Sequence, residues 1–71
     1  MDKVKNIQEL AELIKDTRKK QGISQEDLAG LSNTGVRFII DLEKAKATCQ
    51  IEKVFNVINA LGLELGINND E

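Results

Sequence analysis

The sequence predicts an all-α domain of four to five short helices, followed by one short β-strand at its C-terminal end. Apolar residues recur at helical spacing in separate stretches. Glycine and small polar residues interrupt these stretches, which is typical of helix ends and tight turns. The spacing then changes to strict alternation over residues 63–67, which indicates a strand with one buried face.

A chain of 71 residues is expected to form one domain. We predict a helical core at 6–62, a strand at 63–67 and a disordered tail at 68–71. The single core of so small a domain is marginally stable alone, which favours association with a second chain.

The composition excludes several functions. With one cysteine and no histidine, one chain builds neither a disulfide framework nor a zinc site, so no metal or cofactor is expected. The usual neutral-pH base is also missing, so we predict that the protein is not an enzyme. No apolar run is long enough for a membrane span. A lone unpaired cysteine fits a reducing compartment, so we expect a cytoplasmic, nucleoid-associated protein.

The first predicted helix begins after Asn6. Asn6 and Glu9 have the spacing of a capping box. An apolar stripe follows at Ile7, Leu10, Ala11, Ile14 and Thr17, widened by Leu13. Gly22 predicts the end of the helix, because glycine readily adopts the left-handed backbone conformation that closes helices.

The stretch from Ile23 to Glu43 predicts two short helices joined by a tight turn. Ser24 is suited to cap the first helix, and Asn33 and Gly35 tolerate unusual backbone angles in the turn. The predicted inner faces consist of Leu28, Ala29 and Leu31 in the first helix and of Phe38, Ile39 and Leu42 in the second. The outer face of the second helix carries Val36, Arg37, Ile40 and Asp41. This order is that of a helix-turn-helix motif, whose second helix lies in the DNA major groove. A plain helical hairpin in a small bundle is the alternative.

The last predicted helix is the most apolar, and it ends at Gly62. Its stripe consists of Ile51, Val54, Phe55, Ile58 and Leu61, with Val57 beside them. In the strand that follows, Leu63, Leu65 and Ile67 share one face. Because an isolated strand leaves its backbone groups unpaired, we predict that it pairs with the same strand of a second copy. The alternative is that it extends over its own core.

The formal net charge is −2, although a DNA-binding domain is expected to carry a basic surface. The positive residues are nevertheless clustered. One cluster consists of Lys15, Arg18, Lys19 and Lys20, and a second of Lys44 and Lys46. So few cations favour weak, salt-sensitive binding by one chain, which again indicates a dimer.

Three segments resemble a known family. Gln21–Ala29, read as QGISQEDLA, resembles the opening of the lambda-repressor-like (Xre/Cro-type) helix-turn-helix family, and Phe38–Glu43 is similar to its second-helix segment. Phe55–Leu65 resembles the end of small HipB-like antitoxins, which partner HipA-type kinase toxins.

The resemblance implies roles for individual residues. The resemblance implies DNA-binding positions in the two helices, to which we add the capping Ser24 and the basic residues after the second helix. The full predicted set is Ser24, Gln25, Gly35, Val36, Arg37, Ile40, Asp41, Lys44 and Lys46. Gln25 would bond the DNA backbone and would also steady a reading side chain or touch a base. Gly35 would present its amide to a phosphate, and Val36 would pack on a thymine methyl group. Arg37 would bond guanine O6 and N7 together. Asp41 would accept from cytosine N4, orient Arg37 or remain solvated.

The resemblance also implies an ion pair between Arg18 and Glu43. The sequence departs from the family pattern in three places: Asn33-Thr34 replaces a Gly-Val turn, Ile40 replaces a small polar residue, and Ala45 stands where glycine usually ends the second helix. An alanine at positive φ costs on the order of 1 kcal/mol.

These observations predict a homodimeric, sequence-specific repressor that binds a palindromic operator in double-stranded DNA. The resemblance implies more narrowly an antitoxin of a HipA-like kinase toxin that regulates its own operon. The alternatives are a stand-alone phage or chromosomal Xre-type regulator, and an interaction module that no longer reads DNA.

Overall fold

Four helices follow one another in the computed structural model, which describes residues 4–46 and 50–64. They are α1 (Ile7–Lys20), α2 (Gln25–Ser32), α3 (Val36–Glu43) and α4 (Ile51–Ala60). The all-α prediction is confirmed, and none of the described residues forms a strand. Most of the strand expected at 63–67, including Leu65 and Ile67, lies outside the described residues.

Local side chains set the starts of α1 and α2. The side chain of Asn6 accepts a hydrogen bond of 2.9 Å from the amide of Glu9. The return bond of this expected capping box is shifted by one residue, because the Glu9 carboxylate accepts from the amide of Lys5. At α2 the box is complete: Ser24 accepts from the Asp27 amide at 2.9 Å, and the Asp27 carboxylate accepts from the Ser24 amide at 3.0 Å. In each helix, therefore, a side-chain cap satisfies one first-turn amide that has no partner within the helix.

All four helices contribute to one core. The largest fully buried side chains are Ile14, Leu28, Ile39, Leu42 and Val57. The pair α2–α3 thus packs on α1 and α4 through side chains from every helix. The side-chain amide of Gln21 adds a polar tie, because it donates to the carbonyl of Leu61 across a distance of 2.8 Å. No helix of the described ranges is long and apolar enough to cross a membrane.

Three residues predicted in the core lie at the surface instead. Leu31 is 64% exposed, Ile51 is 60% exposed and Phe55 is 41% exposed. In α2 the next residue, Ser32, faces the core in place of Leu31. Its buried hydroxyl donates to the carbonyl of Leu28 at 2.7 Å.

In α4 the buried stripe consists of Val54, Val57 and Ile58, with Leu61 just after the helix. Phe55 lies beside this stripe rather than within it, because neighbouring residues on a helix differ by about 100° in direction. Ile51 is on the stripe, but it is the first residue of α4 and lies at the edge of the packed helices.

Candidate nucleic-acid interface

The turn between α2 and α3 comprises Asn33, Thr34 and Gly35. Asn33 adopts the left-handed conformation, with φ 58° and ψ 42°, as its residue type suggests. The amide of Thr34 donates to the carbonyl of Ala29 at 2.9 Å, which closes the end of α2. Gly35 precedes α3 with an extended backbone, at φ −102°, so the unusual angle expected there is absent. The turn therefore joins α2 to α3 through three residues.

Helix α3 has an inner and an outer face. Ile39 and Leu42 are fully buried, and Phe38 packs partly against the core. Val36 and Arg37 are exposed on the first turn of the outer face, and Ile40 and Asp41 are half-buried one turn later. The structure therefore brings these four predicted DNA-binding side chains together on one surface, which we call the outer face of α3.

A carboxylate lies between two cations on this face. The Asp41 Oδ1 atom is 3.5 Å from Arg37 Nε and 3.6 Å from Lys46 Nζ. The same oxygen is buried and accepts no hydrogen bond from the described residues. Arg37 remains 71% exposed at its side chain, so the ion pair restricts the guanidinium without covering it. The sequence spacing indicated the Arg37–Asp41 contact, but nothing in it indicated that Lys46 would share the same oxygen.

Behind the outer face, Arg18 and Glu43 form a nearly buried ion pair. Arg18 Nε donates to Glu43 Oε2 at 2.7 Å, and Nη2 donates to Oε1 at 3.1 Å. The third donor, Nη1, bonds the carbonyl of Ile23 at 2.9 Å. The side chains of Arg18 and Glu43 are only 11% and 4% exposed. The hydrogen bond to Glu43, supported by charge attraction and opposed by burial, raises the pKa of Arg18 above its ordinary value. Arg18 is therefore committed to the fold and not to phosphate.

Gln25 belongs to the same cluster. Its side-chain Nε2 donates to Glu43 Oε1 at 3.1 Å, so one of the two N–H donors of this amide is used inside the molecule. The second N–H of the side-chain amide and its carbonyl oxygen are left for DNA, and of these only the N–H can donate to a phosphate. The backbone amide of Gln25, at the first turn of α2, has no partner within the helix and suits a phosphate oxygen. Sequence reasoning missed this side-chain bond, because Glu43 lies 18 positions away.

The turn after α3 carries the last predicted DNA-binding residues. Lys44 and Lys46 are exposed at this end of the outer face. Between them, Ala45 adopts a positive φ of 62°. The amide of Lys46 donates to the carbonyl of Asp41 at 3.0 Å, and that of Ala45 donates to the carbonyl of Leu42 at 3.0 Å. This is the Schellman arrangement that glycine usually completes, so Ala45 keeps the turn at the expense of strain.

Comparison with known proteins agrees with this geometry. The helix-turn-helix family matches residues 14–68. A relative from Sinorhizobium fredii (strain NBRC 101917 / NGR234), named the uncharacterised HTH-type transcriptional regulator y4mF, is 40% identical over 65 residues. That match covers 92% of this chain and 86% of the relative. The chain belongs to the helix-turn-helix family, in its lambda-repressor-like, Xre-type form.

Proposed function

We propose that this protein is a transcriptional repressor that binds a palindromic operator as a homodimer and reads its sequence with the outer face of α3. The observation that carries the proposal is the exposed Arg37 at the first turn of α3, the second helix of the motif. Family membership supports DNA-binding transcription regulation, and the relative from Sinorhizobium fredii carries the name of such a regulator.

In the proposed complex, α3 lies in the major groove. The terminal nitrogens of Arg37 bond guanine O6 and N7, and Val36 packs on a thymine methyl group. Ile40 lies one turn further on and adds apolar contact. Backbone amides at Gln25 and Gly35 bind phosphates, as do Lys44 and Lys46, and these contacts fix the register of α3 without reading sequence. Ser24 holds the start of α2 in place through its capping bond.

The charge and the surface of the chain support the proposed dimer. One chain with a net charge of −2 brings few cations to the duplex, and a second copy doubles their number. Leu31, Ile51 and Phe55 expose apolar area that association would bury. Leu63, the one apolar residue of the expected dimerisation strand that the structure describes, packs partly against its own core.

We also propose that the repressor is an antitoxin whose partner is a HipA-like kinase toxin. The resemblance of Phe55–Leu65 to HipB-like antitoxins supports this narrower function. We expect a gene for a kinase-like protein beside the gene for this chain. Its product should copurify with this chain and lose kinase activity in the complex. A stand-alone phage or chromosomal regulator would have no such neighbour.

Selection from a pool of random DNA duplexes tests the proposed repressor. At low and at moderate salt, the protein should enrich an inverted repeat whose half-site centres lie about 34 Å, or a multiple of this, apart. Light scattering of the protein–DNA complex should show two chains per repeat. A pool that stays random at low salt would support an interaction module that no longer reads DNA. Enrichment of a single, unrepeated site would contradict the dimer.

A further inference from the structure

We propose that Asp41 is a positioning residue that holds Arg37 for a guanine, so that each half-site contains a guanine opposite the first turn of α3. This inference rests on the proposed function, because it names the base that the same helix reads and assigns its recognition to a pair of residues.

The geometry leaves the reading end of Arg37 available. Arg37 and Asp41 are four residues apart and therefore neighbours on the helix surface. Asp41 contacts the guanidinium at Nε, at 3.5 Å, and both terminal nitrogens remain for another partner. A guanidinium is a rigid planar fork, so fixing one edge also sets the direction of the others. Guanine offers two adjacent acceptors, O6 and N7, to such a fork in the major groove.

Asp41 is placed to orient a cation. Its Oδ1 atom is buried between Arg37 Nε and Lys46 Nζ, without a hydrogen bond from the described residues. This oxygen faces the two cations. The cations also offset the negative charge that would otherwise repel phosphates, because the three side chains together carry one positive charge. Asp41 therefore serves recognition by reducing the freedom that Arg37 loses on binding.

The Arg37 side of the ion pair is 71% exposed, and such pairs four residues apart contribute little to helix stability. Replacement of Asp41 should therefore leave the fold intact, and circular dichroism checks this. Asp41→Asn removes the charge with little change of shape. Asp16→Asn is the matched control, because it makes the same charge change at an exposed position of α1.

The test uses the full chain and the duplex returned by random selection. Four versions of this duplex carry guanine, adenine, cytosine or thymine at the half-site position opposite the first turn of α3. A fifth duplex has the same base composition in shuffled order. Fluorescence anisotropy should show that the wild type and Asp16→Asn prefer guanine by about 10-fold or more. Asp41→Asn should lose most of this preference.

The affinity of Asp41→Asn for the shuffled duplex should stay the same or rise, because the substitution removes a negative charge and frees Lys46 to contact a phosphate. In an Arg37→Ala background, Asp41→Asn should have no further effect on base preference.

Other results would overturn the inference. If Asp41→Asn weakens binding to all five duplexes by the same factor, Asp41 has a structural role only. If the guanine preference is unchanged in Asp41→Asn, Asp41 has no role in recognition. A wild-type preference for cytosine that Asp41→Asn abolishes would show that Asp41 reads the base itself. If the wild type distinguishes none of the duplexes, the proposed function fails as well, whereas the other outcomes leave it standing.

Discussion

At the scale of single residues, Ala45 has a backbone conformation that its side chain disfavours. Its φ of 62° places it in the left-handed region, in the turn that ends α3. Replacement by glycine removes the steric conflict, and we expect Ala45→Gly to raise the free energy of unfolding by about 1 kcal/mol. In thermal unfolding this corresponds to a rise in Tm of roughly 4–8 °C for a domain of this size.

Ala60→Gly is the control for Ala45→Gly, because Ala60 lies within α4. Ala60 is the last residue of this helix, so glycine there should lower the free energy of unfolding by at most about 0.5–1 kcal/mol, which is what glycine costs in the middle of a helix. If both substitutions lower the Tm, the turn after α3 is not strained at Ala45.

Glu43 is the residue on which the polar cluster behind α3 depends. It accepts hydrogen bonds from Arg18 and Gln25 while only 4% of its side chain is exposed. Glu43→Ala leaves Arg18 charged and buried, so we expect a loss of about 3–5 kcal/mol in the free energy of unfolding, measured by urea denaturation. The apolar pair Arg18→Met with Glu43→Leu should recover at least half of this loss. A single Glu43→Ala variant as stable as the wild type would contradict the assigned role.

At the scale of helices, local signals made the fold predictable. Asn6 and Ser24 cap helices with their own side chains, and Gly22 ends α1 with a φ of 71°. Such features depend on a few adjacent residues, so they can be read from sequence. The exposure of Leu31 and Phe55 depends on which helix packs against which side, and periodicity alone does not determine that.

Two glycines should respond oppositely to alanine. Gly30 lies inside α2, and an added Cβ would meet nothing within 4 Å, so Gly30→Ala should stabilise the domain by about 0.5–1 kcal/mol. Gly22 also has open space, but its positive φ makes Gly22→Ala unfavourable by about 1 kcal/mol. Thermal unfolding of both variants decides whether backbone conformation, and not space, governs these positions. A shift of the same sign in both would refute this.

At the scale of the whole molecule, the candidate site was predictable in its membership but not in its contacts. The outer face of α3 followed from the buried positions of Ile39 and Leu42, which direct Val36 and Arg37 outwards. The contact of Lys46 with Asp41 was not predictable, because it depends on the conformation of the turn after α3. Sequence also placed Gln25 at the DNA without its bond to Glu43, because that bond depends on how α2 packs against α3.

The account requires that specificity come from Arg37 while general affinity comes from other cations. Lys44 is the matched control, because it is an exposed cation directly after α3. Lys44→Ala should weaken binding to specific and shuffled duplexes by the same factor and reduce the salt dependence, as expected for a phosphate contact.

The most direct measurement is the affinity of Arg37→Ala for the selected duplex and for its shuffled counterpart, by anisotropy at two salt concentrations. We predict a loss of about 5- to 150-fold on the selected duplex, which corresponds to one bidentate guanine contact. The loss on the shuffled duplex should be several-fold at most, so the preference for the selected sequence falls sharply. If Arg37→Ala binds the selected duplex as tightly as the wild type does, α3 does not read DNA through Arg37 and the central claim is wrong.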